Sequence, residues 1–271
     1  MIINKIESFN QWREVARNLL SNNIPPESVH WQTENQNELF GKTDENSKKT
    51  KPEKIIKVNR DFVELAKTVS CYRCDKRWSL LYRTLWRLTH GEPYLLKLAS
   101  DDDIRLLTKM EKEVRRDSHK MKAFVRFRKV EAAIAQSEDT KEFYIAWHQP
   151  SHFTLERTAP FFARRFAVMN WAILTPDRCA YWDGESLRFG EGLSRQEAKS
   201  ETPTEDNMED LWRTFYWNIF NPARIKVNMM KSEMPMKFWH TLPEAQLIPD
   251  MLNTASHRVD DMIEKQKENN R

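Results

Sequence analysis

The chain has 271 residues, near the upper limit for one hydrophobic core, with ten tryptophans and fourteen phenylalanines to fill it. Five glycines, without GxGxxG or a GxxxxGK followed by Ser or Thr, remove the ordinary routes to NAD, FAD and P-loop ATP binding. The net charge of +4 is modest, so charge matters by where it clusters.

Ile2–Ile6 and Ser28–Gln32 read as strands on either side of an amphipathic helix over Phe9–Leu20. Ser8 can cap that helix, and Trp12, Val15, Ala16, Leu19 and Leu20 share one face. Residues 33–57 are polar and lysine-rich and read as an excursion. Arg60–Ser70 and Arg77–Thr89 read as helices, the second with Trp78, Leu81, Leu85 and Leu88 at core spacing. Asp101–Asp103 fits the start of a helix, where acids favour the positive end of the dipole, better than a metal cluster. In the helix that follows, Leu107, Met110, Val114 and Met121 form one stripe. Arg105, Lys109, Lys112, Arg116 and Lys120 lie opposite, with His119 close by, outnumbering Glu111, Glu113 and Asp117 on the basic side.

Period-2 texture follows: Lys122–Val130 and Phe143–Trp147 predict a hairpin with a long connection. Thr158–Asn170 reads as a helix with Pro160 in its first turn. Trp171–Thr175, Cys179–Trp182 and Ser186–Phe189 predict a meander closed by the Asp183-Gly184 turn. Residues 190–209 read as a second polar excursion, and the chain from Asp210 reads as helical, broken at Pro222, Pro235, Pro243 and Pro249. The expected fold is α+β, one domain over 1–271 with a central antiparallel sheet, hairpin plus meander, flanked by N-terminal and C-terminal helices.

Metal and nucleophile chemistry find little support. Cys71 and Cys74 form a CxxC, but a structural zinc needs four ligands, and beyond them stand only Cys179 and the unfixed His90. His148, His152 and Glu156 are four apart, yet Pro150 works against a helix that would align them; a phosphate- or base-facing His148 or His152 and a structural histidine both stay open. No GxSxG occurs. Of the carboxylates Asp177, Asp183, Glu233 and Glu244, Asp183 is better explained by its turn and Glu233 by a helix end before Pro235. No metal and no cofactor are expected.

Anion binding is better signalled. Between Arg105 and Lys129 ten Lys or Arg face three acids, and Arg164-Arg165 adds two cations. In 211–249, Trp212, Trp217, Trp239, three phenylalanines and Tyr216 are interleaved with Arg213, Arg224, Lys226, Lys231 and Lys237. Cations beside stackable rings suit a phosphodiester with splayed bases, though a solvated face over an aromatic core explains the composition equally well. The candidate nucleic-acid-binding set is Arg105, Lys109, Lys112, Arg116, His119, Lys120, Arg164, Arg165, Arg213 and Arg224. Three cysteines and no apolar leader point to a reducing cytoplasm, and no apolar run nears the ~20 residues of a membrane span.

The segments FNQWREVARNLL, PPESVHWQ, RWSLLYRTLWRLTHGEPYLL, RRDSHKMKAFVRFR, APFFARRFAVMNWAILTPDRCAYWDGESLRFG and LWRTFYWNIFNPARIK, in that order, resemble the bacterial "probable DNA metabolism protein" family. That family occurs alone or as the N-terminal half of X-type uracil-DNA glycosylase-like proteins. The resemblance implies a place in DNA repair or modification, and for stand-alone members a radical SAM DNA modification or repair protein as companion. It supplies no catalytic residues. A non-catalytic DNA-binding or partner-docking module is therefore expected, with RNA open as well because phosphate contacts do not distinguish the sugars. The alternative is an enzyme acting on a modified base or nucleic-acid end through His119, His148 or His152.

Overall fold

Two reciprocal bonds set the first helix. The Gln11 amide donates to Ser8 Oγ at 3.3 Å, and the Ser8 amide donates to the Gln11 side chain at 3.2 Å, a capping box that starts α1, Phe9–Ser21. The computed structural model describes residues 2–6, 8–32, 57–130, 142–196, 234–242, 245, 247 and 249. Contacts divide the chain into two units: Met1–Ser118 with Ser151–Thr154, and His119–Pro150 with Leu155–Arg271.

In the first unit, β1 (Ile2–Lys5) and β2 (Val29–Gln32) pair in parallel, joined through α1. Parallel neighbours need a crossover, and α1 is that crossover. Its face Trp12, Ala16, Leu19 and Leu20 is buried as the spacing predicts. It meets Phe62, Ala66 and Val69 of α2 (Arg60–Val69) and Trp78, Leu81 and Tyr82 of α3 (Lys76–Thr89). Large rings fill this core: Trp12 stacks on Trp78 at 6.2 Å and Trp31 tilts against Tyr82 at 5.6 Å. Tyr82 reaches past the apolar layer and donates to the Ile24 carbonyl at 2.6 Å.

Helix α4, Asp102–Phe124, begins where the aspartate triplet predicts. Asp101 caps it, accepting from the Asp103 and Ile104 amides. Arg87 bonds Asp101 at 2.7 Å, which holds that carboxyl below the usual aspartate range, and Arg83 grips Asp103 at 2.9 Å. Ile104, Leu107 and Val114 turn inward in this unit.

The second unit carries the five-stranded sheet, in the order β3 (Arg128–Val130), β4 (Phe143–Trp147), β5 (Asn170–Leu174), β6 (Arg178–Trp182), β7 (Leu187–Glu191). The fold is α+β, as expected. Three of the four pairings are antiparallel, and Asp183-Gly184 makes the β6–β7 turn. Gly184 sits at φ +93°, where a side chain would be strained. Asp183 ties the turn by accepting from the Glu185 and Ser186 amides, bonds that hold its carboxyl well below the usual range. The pair β4–β5 corrects the expected antiparallel sheet: it is parallel, because α5 (Leu155–Arg165) crosses between the two strands. Leu155, Ala159, Phe162 and Ala163 of α5 pack with Trp171, Ile173 and Ala180 in this core.

Two boundaries also shift. The expected strand over Lys122–Val130 gives up its first residues to α4, which runs on to Phe124. Met121 and Val125 continue the four-residue stripe of buried positions, so the helical period outlasts the alternating texture. The helix expected over Thr158–Asn170 starts three residues earlier, at Leu155. Pro160 therefore lies inside it and gives no N–H to the Glu156 carbonyl; both residues are exposed, so water offsets the loss. The 33–57 excursion lies outside the described residues except at Lys57. So does the C-terminal helical reading, apart from a 3-10 turn over Met236–Thr241 after Pro235. No helix among the described residues is long and apolar enough to cross a membrane.

Candidate nucleic-acid interface

The basic face of α4 is laid out as the helical spacing requires. In the first unit Arg105, Lys109, Lys112 and Arg116 are all exposed. Arg105 pairs with Asp102 at 2.9 Å, one turn away, and Lys109 stands 4.0 Å from Glu113. Lys112 and Arg116 make no ion pair among the described residues. Exposed pairs of this kind contribute about 0–1 kcal/mol, so Arg105 and Lys109 can exchange their partners for an incoming anion at little cost. His119, exposed, and Lys120, half-buried, continue the same helix in the second unit. Arg164 and Arg165 are exposed at the end of α5, with Arg165 5.8 Å from the Phe166 ring. Arg213 and Arg224 lie outside the described residues.

Beside Glu113 the first unit builds a cluster that sequence reasoning did not find. Asp117 is 5 % exposed and lies on the inward side of α4, not among the acids of the basic face. It accepts from the Ser151 amide at 3.1 Å, the His152 amide at 3.0 Å and the Thr154 hydroxyl at 3.2 Å. A carboxylate collecting three donors fixes the 151–154 loop as firmly as a helix cap fixes a first turn. The turn between α2 and α3 holds it from another side. The Phe153 amide donates to the Cys71 carbonyl at 2.8 Å, and Arg73 Nε donates to the Ser151 carbonyl at 3.1 Å.

Within that frame His152 stacks on Tyr72 at 4.5 Å, and its Nδ1 accepts from the Arg73 amide at 3.3 Å. A neutral His152 therefore carries its proton on Nε2, 4.0 Å from the Glu113 carboxylate. Tyr72 donates to the same carboxylate at 2.9 Å; burial first, and then this bond, raise the Tyr72 hydroxyl above its usual range. Arg73 lies 4.4 Å over the Phe153 ring, and Arg77, buried against Trp78, lies 5.4 Å from it. Phe153 itself is 38 % exposed.

The other candidates separate. His148 is 1 % exposed, stacked on Phe238 at 5.0 Å in the second unit. Glu156 pairs with Arg178. Cys71 and Cys74 are half-buried and Cys179 is buried. No group of three or more His, Cys, Asp or Glu that could hold a metal ion occurs among the described residues. Asp177 is half-buried, while Glu233 and Glu244 lie outside the described residues. The missed residue Asp117 did leave a signal: it is a charged residue on the line of Met110, Val114 and Met121, a core position that a carboxylate occupies only when donors await it.

A family model described as a domain of unknown function, DUF4130, matches residues 75–244. The matched stretch runs from the residue before α3 through α4, the 151–154 loop and the five-stranded sheet. No curated protein and no solved structure matches the chain. With more than half of its length covered by that match, the chain belongs to the DUF4130 family of domains of unknown function.

Proposed function

We propose that this chain is a non-catalytic nucleic-acid-binding module serving DNA repair or modification in the cytoplasm. The observation that carries the reading is the row Arg105, Lys109, Lys112 and Arg116, exposed on one face of α4, with Lys112 and Arg116 making no ion pair among the described residues. A helix that packs its apolar stripe inward presents such a row to a phosphate backbone whatever the sequence of the bases. The resemblance to the "probable DNA metabolism protein" family supports the DNA setting and a radical SAM or uracil-DNA glycosylase-type partner. The test reverses Lys109, Lys112 and Arg116 to glutamate and follows fluorescence anisotropy of single- and double-stranded oligonucleotides at ~50 and ~200 mM salt, where phosphate-dominated binding changes most. Wild type is expected to bind at the lower salt and the variant is not. A triple variant that binds as well as wild type leaves the face merely solvated and shifts the reading to partner docking, which co-purification with the radical SAM companion would then examine.

One observation favours a second reading, acid–base catalysis at His152: its Nε2 lies 4.0 Å from the Glu113 carboxylate. Only 12 % of the His152 side chain is exposed, which leaves little room for a reacting group. Nuclease and glycosylase assays on damaged oligonucleotides decide it. Turnover by wild type that disappears in His152→Asn supports catalysis, and no turnover by wild type removes it.

A further inference from the structure

Phe153 is held in water by its own neighbours. Every residue of 151–154 is bonded: Ser151, His152 and Thr154 to Asp117, and the Phe153 amide to the Cys71 carbonyl. Leaving Phe153 38 % exposed forfeits part of the ~1.5–3 kcal/mol its burial would contribute. These bonds fix the backbone that carries the ring, so the loop itself cannot swing to bury it. The ring is also backed by charge, with Arg73 4.4 Å from its centroid and Arg77 at 5.4 Å. Beside it, Glu113 touches both the Tyr72–His152 stack and Lys109, so the loop stands next to the basic face of α4.

We propose that Phe153, backed by Arg73, is a stacking platform for an unpaired base of single-stranded DNA whose phosphates run along the α4 cations. The proposal rests on the nucleic-acid reading of α4 and goes beyond it, because cations alone do not tell a base-bearing strand from a bare phosphodiester. A fixed aromatic face does: any base can stack on it, and a base already stacked inside a duplex cannot reach it without being extruded. The guanidinium of Arg73 covers one face of the ring and sets a cation beside the flanking phosphate.

The experiment compares anisotropy titrations of the full chain with a short oligothymidylate and with an abasic tetrahydrofuran chain of equal length and charge. Wild type is expected to prefer the base-bearing strand by roughly 5- to 150-fold, the worth of one stacked base. Phe153→Ala should bring oligothymidylate down to the abasic affinity and leave abasic binding unchanged, while Phe153→Trp should keep the preference. Equal wild-type affinity for the two chains, an undiminished preference in Phe153→Ala, or equal loss on both chains overturns the platform while the α4 reading stands. No wild-type binding to either chain overturns both.

Discussion

Replacing Asp117 by alanine removes one carboxylate and leaves three donors, two amides and the buried Thr154 hydroxyl, facing an apolar methyl. A hydrogen bond to a charged group is worth about 1.5–3 kcal/mol, and the loss is smaller where water can step in. Ser151 is exposed and recovers most of its bond; His152 and Thr154 are not and recover little. The expected cost is therefore about 3–5 kcal/mol, at the high end of what single substitutions produce. For a unit of this size that lowers the melting temperature by roughly 10–20 °C, read by circular dichroism. Asp117→Asn keeps the shape and one good acceptor and should lose about half as much. Hydrogen exchange supplies a local readout: in both variants the amides of Ser151, His152 and Phe153 should lose protection before the amides of α3 do. DNA affinity carried by α4 should survive while the preference for base-bearing strands falls, because the platform is no longer held. A melting shift below ~2 °C with unchanged exchange at 151–153 would refute the reasoning, since three bonds to a buried carboxylate cannot be lost for nothing.

Acid should weaken the α3–α4 junction. Arg87 holds the Asp101 carboxyl below its ordinary value of 3.8, with the Ile104 and Asp103 amides assisting. Because the folded value is the lower one, this contribution is full above that pH and is lost as pH falls through the folded value; Arg87→Gln should flatten the acid limb of stability against pH. At Gly192 an added Cβ would collide with the Pro176 carbonyl oxygen, and backbone cannot yield as a side chain does. Gly192→Ala should cost about 1–3 kcal/mol in chemical denaturation and open the bond from Leu193 N–H to the Thr175 carbonyl. Tyr82→Phe leaves the Ile24 carbonyl without its donor and should cost about 1 kcal/mol, with no effect on DNA affinity in the anisotropy assay.

What could be read from the sequence was what is set locally. The Ser8 cap, the helix start at Asp101–Asp103, the Asp183-Gly184 turn and the stripe on α4 depend on residues a few positions apart, and each is found where the pattern places it. The parallel pair β4–β5 was missed because alternation describes a strand and not its neighbour; α5 alone decides it, by crossing over the sheet. The end of α4 was missed because residues 122–127 satisfy both periods, and burial of Val125 one turn beyond Met121 settles the conflict. In the candidate site the cations were legible as a helix face. The loop was not, since Asp117 and Thr154 are thirty-seven positions apart and Tyr72 and Glu113 forty-one. Chemistry assembled at such separations is visible only as isolated oddities, a carboxylate on an apolar line or a phenylalanine between polar neighbours.

The central claim is that α4 holds a phosphate backbone through its own cations, and the salt dependence of binding tests it most directly. Each phosphate contact contributes about 0.7–0.9 to the slope of log affinity against log salt. Neutralising Lys112 and Arg116 to glutamine, which leaves the Arg105–Asp102 and Lys109–Glu113 contacts untouched, should lower the slope by about 1.4–1.8 and weaken binding to all sequences alike. An unchanged slope in that variant, or a wild-type slope near zero, would contradict the account.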